Sequence, residues 1–237
     1  MQPDRTRSEV ETLADLLGDF AAEGWGPDRA EEAFDAVADR YRVLGRSYVA
    51  AADAVAEALD GGVPLPAACK SVLLSAHAKL FGGILTNAGR VRQWGDPGGS
   101  RVEFGGPKGD RREWRFKGTS ADQIDADLDE AFARLEDRRG GRKASLDLAR
   151  DEAVRFYADL SRVHPFYDGN GRAGRFIVSV YLHLHGWLVE WGRLEERDGQ
   201  FLRRINNVNE KTWAQTDYDR LLVDFWRRYV VRTDDLG

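Results

Sequence analysis

The sequence predicts an all-α fold: a mainly helical bundle that carries one small β-hairpin. Apolar residues recur at helical spacing along most of the 237-residue chain, as they do where one face of each helix turns to a core. Glycine and proline cluster between those stretches, where a helix must stop. Only two short runs have the aromatic and branched composition of strands, and they flank a link rich in Gly with one Pro.

The elements follow in order. Val10 to Ala22 aligns Val10, Leu13, Leu17 and Phe20 on one helical face, and Gly24 to Pro27 ends it. Ala30 to Leu59 is rich in Ala, Glu and Arg, which favour helix throughout. Gly61, Gly62, Pro64 and Pro66 then break the pattern, dividing an N-terminal helical extension, residues 1–62, from a main domain, residues 63–232. Arg101 to Phe104 and Glu113 to Phe116, joined through Gly105 to Asp110, form the hairpin. Thr119 and Asp122 look like a capping start for a helix with Ile124, Leu128, Ala131, Phe132 and Leu135 on one side, running to Gly140 and Gly141. Ser145 opens another, with Val154, Phe156, Tyr157, Leu160 and Val163 inward and His164 at its C-terminal end. Phe176, Ile177, Val178, Val180, Tyr181, Leu182 and Leu184 mark a buried helix.

Composition narrows the class. Hydrophobic content of 42% and charged content of 32% suit a soluble globular protein, and a formal charge of −5 with dispersed arginines argues against a nucleic-acid partner. The single cysteine, Cys69, excludes an intramolecular disulfide and leans toward a reducing compartment, the cytoplasm by default. The polar start MQPDRTRSEVE lacks the pattern of a signal peptide. The longest apolar stretch, Phe176 to Trp191, falls short of the ~20 residues of a membrane span, so no membrane partner is expected.

The chemistry concentrates in one run, His164 to Arg175, HPFYDGNGRAGR. A histidine with its usual pKa of about 6.5 can accept a proton near neutral pH, although a helix C-terminus somewhat favours the protonated ring. Asp168 supplies a carboxylate of the kind that holds Mg2+ beside a phosphate. Gly169, Gly171 and Gly174 remove side-chain bulk where backbone must approach a ligand, and the helix that follows offers its positive end to an anion. Arg172 and Arg175, three residues apart, can project from one face as planar donor forks, enough for more than one phosphate. A polyphosphate held with a metal beside a base implies nucleotidyl or phosphoryl transfer. Elsewhere, His183 and His185 are two apart and face different ways on a helix, a poor metal pair, and His77 is expected to satisfy a local hydrogen bond in an apolar helix.

This run resembles the signature of the Fic family, HPFx[DE]GNGRxxR, at every specified position. The likeness extends upstream to His77–Arg92, HAKLFGGILTNAGRVR, with its ending at Ala88, Gly89, Arg90 and Arg92. Downstream, Phe201 to Tyr229 resembles the closing helices of the domain, so it covers roughly Leu65 to Tyr229. The resemblance implies a Fic fold over residues 63–232 and a protein adenylyltransferase that moves AMP from ATP to a Tyr, Thr or Ser hydroxyl of a target protein, releasing pyrophosphate. It implies that His164 deprotonates the hydroxyl, Asp168 holds Mg2+ on the α and β phosphates, and Asn170 with the backbone of Gly169 and Gly171 forms the anion hole. Arg172 grips the phosphates and Arg175 the γ phosphate, while Pro165 and Phe166 fix the loop. The hairpin, about residues 100–118, corresponds to a flap that docks the target segment by strand addition.

Two further readings stay open: the same site transfers another nucleotide or phosphate-containing group, or the chain is a catalytically silent helical interaction module. Regulation has two candidates as well. Many Fic proteins are restrained by a glutamate in [ST]xxxE[GN] that pairs with the second signature arginine. Here Glu23 precedes Gly24, but Asp19 stands where Ser or Thr is asked for. Glu23 on Arg175 as an intramolecular inhibitory contact, an ordinary helix end at that place, and a separate antitoxin protein are the alternatives. The expected location is cytoplasmic, with action in another cell if the protein is a secreted effector.

Overall fold

The computed structural model describes residues 7–97, 103–105, 115–206 and 215–236. Nine helices are seen among them: α1 (Arg7–Phe20), α2 (Ala30–Gly45), α3 (Tyr48–Asp60), α4 (Leu65–Phe81), α5 (Ile124–Ala133), α6 (Lys143–Val163), α7 (Asn170–Leu184), α8 (Trp191–Asn206) and α9 (Gln215–Trp226). Two small antiparallel pairs complete them. Strand β1 (Glu103–Gly105) pairs with β2 (Arg115–Lys117), Phe104 opposite Phe116, and β3 (Trp187–Val189) pairs with β4 (Val230–Arg232), Leu188 opposite Val231.

The centre of the bundle is α7, which packs against α3, α4 and α6. Ala173, Gly174, Phe176, Ile177, Val178, Val180, Tyr181 and Leu182 are all buried, so this helix is apolar on nearly every side, as a central helix must be. Each large side chain so buried contributes about 1.5–3 kcal/mol. Gly174 sets the α6 contact: a Cβ there would come 3.1 Å from Tyr157 Cε2 and 3.3 Å from Leu160 Cδ2. The stripes expected on α1, α5 and α6 all turn inward. Helices α2 and α3 lie against α4, and α3 against α7, with Val37, Leu44, Ala52 and Val55 in the same core cluster as the rest of the bundle.

Three local expectations are corrected. The stretch Ala30 to Leu59 is two helices, because the chain turns at Gly45–Ser47, where the Ser47 hydroxyl donates to the Leu44 carbonyl at 2.9 Å and the Arg46 N–H to Val43 at 3.1 Å. Thr119 does not cap α5; its hydroxyl donates to Asp127 at 2.8 Å, and the helix begins at Ile124. That helix ends at Ala133, short of Gly140, although Leu135 stays buried. The helix expected over Phe176 to Leu184 ends at Leu184, and Gly186, at φ 75°, turns the chain out of α7 into β3. Of the hairpin, the turn through Pro107, together with Arg101, Glu113 and their neighbours, lies outside the described residues.

Candidate active site

The signature run folds into a short loop between the C-terminus of α6 and the N-terminus of α7. His164 caps α6 with φ 52° and ψ 61°, the one non-glycine in the left-handed region among the described residues. Such a backbone costs a β-carbon residue about 1–2 kcal/mol, so the surroundings must impose it. Arg92, 1% exposed, does so. Its Nε donates to the His164 carbonyl at 2.9 Å and its Nη2 to Thr119 and Val163 carbonyls at 2.8 and 3.4 Å, while its backbone N–H donates to Pro165 at 2.9 Å. Behind the hairpin, Gly118 lies so close that a Cβ would meet His164 Cβ at 3.0 Å. The flap therefore leads directly onto the candidate base.

A neutral imidazole carries one ring N–H and one lone pair, so an uncharged His164 is able to accept a proton, and the nearby Ser161 backbone favours the protonated form. Burial, and next the positive Arg92, push the imidazole down to about 4, outweighing Ser161 and Asp168. The helix-end preference for a protonated ring is thus overridden, and His164 is neutral across physiological pH.

The loop is closed by Asn170. Its Oδ1 accepts the Phe166 N–H at 2.9 Å and its Nδ2 donates to the Phe166 carbonyl at 2.7 Å. The side chain expected in the anion hole thus braces the loop, and the backbone is left to face an anion. Gly169 sits at φ 76°, and a Cβ there would fall 2.5 Å from Phe81 Cε2, so this position requires glycine. The first α7 bond runs from Ala173 N–H to the Gly169 carbonyl, so the N–H groups of Asn170, Gly171 and Arg172 lie ahead of it at the positive helix end.

Asp168 and Arg172 meet at that end. Arg172 Nη2 donates to both carboxylate oxygens at 3.0 and 2.9 Å, and the Gly169 N–H donates to Oδ1 at 2.5 Å. The guanidinium also lies 5.4 Å from the Phe81 ring centroid. Arg175 has other partners. It pairs with Glu195 of α8, lies 5.4 Å over Trp191, and has the buried Tyr157 beside it. Burial opposes its charge, but Tyr157, Tyr41 and Glu195 together raise its pKa. The expected Glu23 contact is not made: Glu23 is exposed and forms no ion pair among the described residues, and Glu195 occupies the carboxylate position beside Arg175. Sequence spacing carries no sign of that pairing. It also undervalues His77, which is 3% exposed, accepts the Gly89 N–H at 2.8 Å and reaches the Asp168 carbonyl at 3.1 Å.

The donor set suits Mg2+ in one way. No group of three or more His, Cys, Asp or Glu among the described residues could hold a metal alone. Asp168 is a lone carboxylate at a helix N-terminus, the arrangement that serves Mg2+ when phosphate oxygens and waters fill the remaining positions. No helix among the described residues is long and apolar enough to cross a membrane.

Comparison with known proteins agrees with this geometry. The N-terminal Fic domain of a VirB-translocated Bep effector protein from Bartonella quintana, with bound ADP, superposes with a TM-score of 0.51 at 17% identity, over 84% of this chain and 87% of that one. The corresponding domain from Bartonella sp. AR 15-3 gives 0.52 at 19%, over 80% and 83%. BepC from Bartonella tribocorum, with bound AMPPNP, gives 0.50 at 18%, over 82% and 87%. No curated protein matches the sequence. The Fic/DOC family matches residues 68–182, which run from within α4 through most of α7 and hold the whole signature loop, and this stretch of the chain belongs to that family.

Proposed function

We propose that the protein is a nucleotidyltransferase that moves AMP from ATP onto a Ser, Thr or Tyr hydroxyl of another protein. One observation carries the reading: a buried imidazole, neutral at physiological pH, sits four residues before the Asp168–Arg172 pair at the positive end of α7. The bound ADP and AMPPNP of the Bartonella domains support a nucleotide at this fold's site.

The N–H groups of Asn170 and Gly171 and the Arg172 fork would hold the phosphates, and Asp168 would hold the metal. Bound Mg2+ would neutralise charge building on the phosphate oxygens. His164 takes the proton as the target oxygen bonds the α-phosphorus; the bond to the β-phosphate bridge breaks, and pyrophosphate leaves. Arg172 must then turn from Asp168 toward the phosphates. Strands β1 and β2, joined to His164 through Gly118, are placed to register an extended target segment.

Arg175 favours a second reading. The residue assigned to a γ phosphate is engaged by Glu195 and so is not held ready for the end of ATP, which leaves room for another nucleotide or phosphate-containing donor. Purified protein and its His164→Ala variant, incubated with labelled ATP, GTP, CTP and UTP, separate the two. Transfer of label from ATP alone, reduced about 100- to 10,000-fold in the variant, is the expected result. Label from another nucleotide selects the second reading, and equal labelling by the variant removes His164 as the base.

A further inference from the structure

We propose that His77 is a positioning residue for Asp168, a one-way hydrogen-bond relay that fixes the peptide plane joining Asp168 to Gly169. The proposal rests on the reading of the loop as a Mg2+-nucleotide site.

His77 lies on α4, far outside the signature run, and takes no part in the mechanism above. Its two ring nitrogens have unequal partners. The Gly89 N–H points at Nδ1 at 2.8 Å, and a backbone N–H can only donate. The ring proton is therefore on Nε2, which donates to the Asp168 carbonyl at 3.1 Å. Neither bond can reverse direction, because both backbone partners have fixed roles. The ring cannot swing away either: Phe166 stacks on it at 3.8 Å and 10°, and Phe81 lies against it at 4.8 Å. Gly89 is held equally firmly, at φ 79°, where a Cβ would come 2.9 Å from Ala78 Cβ and 3.2 Å from the Leu74 carbonyl.

The plane that His77 grips is the sensitive one. Its carbonyl oxygen bonds His77, and its N–H, that of Gly169, donates to the Asp168 carboxylate at 2.5 Å. A peptide followed by glycine flips easily, since glycine accepts either sign of φ. A flip would withdraw the Gly169 N–H from the carboxylate and leave Arg172, which must turn toward the phosphates, as its remaining donor. Holding the carbonyl prevents it, in the way outer partners commonly orient a metal ligand.

Two near-isosteres separate the nitrogens. The oxygen of Asn stands close to the place of Nδ1, and the amide nitrogen of Gln reaches the place of Nε2. His77→Gln therefore keeps a donor for Asp168, and His77→Asn keeps only the acceptor for Gly89. Calorimetric titration with ADP, with and without Mg2+, measures the gain in affinity that Mg2+ confers, and thermal unfolding is followed alongside. The expected result is a gain about 10- to 100-fold smaller in His77→Asn and retained in His77→Gln, with metal-free ADP affinity alike in both. A merely structural histidine would lower the unfolding midpoint and the metal-free affinity together, and that outcome overturns the proposal, as does an equal gain in both variants. Should neither variant fold, the wild-type imidazole 15N shifts decide: a proton on Nε2 supports the relay and one on Nδ1 ends it. Wild-type protein without any Mg2+-dependent ADP binding would overturn the nucleotide-site reading, and the relay with it. Wild-type binding with unaffected variants would overturn the relay alone.

Discussion

A carboxamide at position 170 answers both ends of one peptide unit. The Asn170 oxygen takes the Phe166 N–H and its nitrogen meets the Phe166 carbonyl, which only a group with one acceptor and one donor can do. Asn170→Asp keeps the first bond and sets a carboxylate oxygen against a carbonyl oxygen in place of the second. A loss of about 1–3 kcal/mol is expected, read as a lower denaturant midpoint with an unchanged slope; an unchanged midpoint would mean that the loop does not depend on this brace. At this scale the signature residues were legible because their chemistry lies within one run of sequence. Their partners were not. Glu195 meets Arg175 only because α8 packs back against α6, the neighbour of α7, and Glu23, exposed beyond the end of α1, makes no ion pair among the described residues.

Among the elements, the end of α6 has the most to explain. Its last cap is His164 at φ 52°, a conformation that glycine adopts freely and a β-carbon residue does not. His164→Ala and His164→Gly both remove the imidazole, so both should be inactive, yet glycine also relieves the backbone. The Gly variant is expected to be more stable than the Ala variant by about 1 kcal/mol in chemical denaturation. A more stable Ala variant would show that Arg92 and Pro165 do not hold this residue in the left-handed region once the ring is gone. Helices with a strong apolar stripe were legible, α6 and α7 above all, since periodicity and burial express the same requirement. Short pieces were not. The turn at Gly45–Ser47 is a break within good helix formers, and the pairing of β3 with β4 joins Trp187–Val189 to a segment 43 positions on, Val230–Arg232, which no local pattern announces.

The whole molecule behaves as one core with several uncharged histidines built into it. The break at Gly61–Pro64 was legible as a turn, but the packing of α2 and α3 onto α4 and α7 depends on side chains spread over the chain, and only the fold brings them together. That shared core makes the proton balance a property of the entire protein. Burial pushes His77 and His164 down to about 4 and lowers His185 as well. In the unfolded chain each returns to about 6.5. Between these values the unfolded state binds more protons than the folded one, so folding is fully favoured above about pH 6.5 and loses stability as the pH falls toward 4. Each such histidine costs up to roughly 1.4 kcal/mol per pH unit across that window. Carboxylates titrate mainly below about pH 5, so the interval from 6.5 to 5 isolates the histidines. Denaturant midpoints at pH 7, 6 and 5 should fall steadily, and the fall should be shallower in His77→Gln, which has one titrating ring fewer. A midpoint that stays level from pH 7 to 5 would mean that these rings gain protons in place, without opening the core that surrounds them.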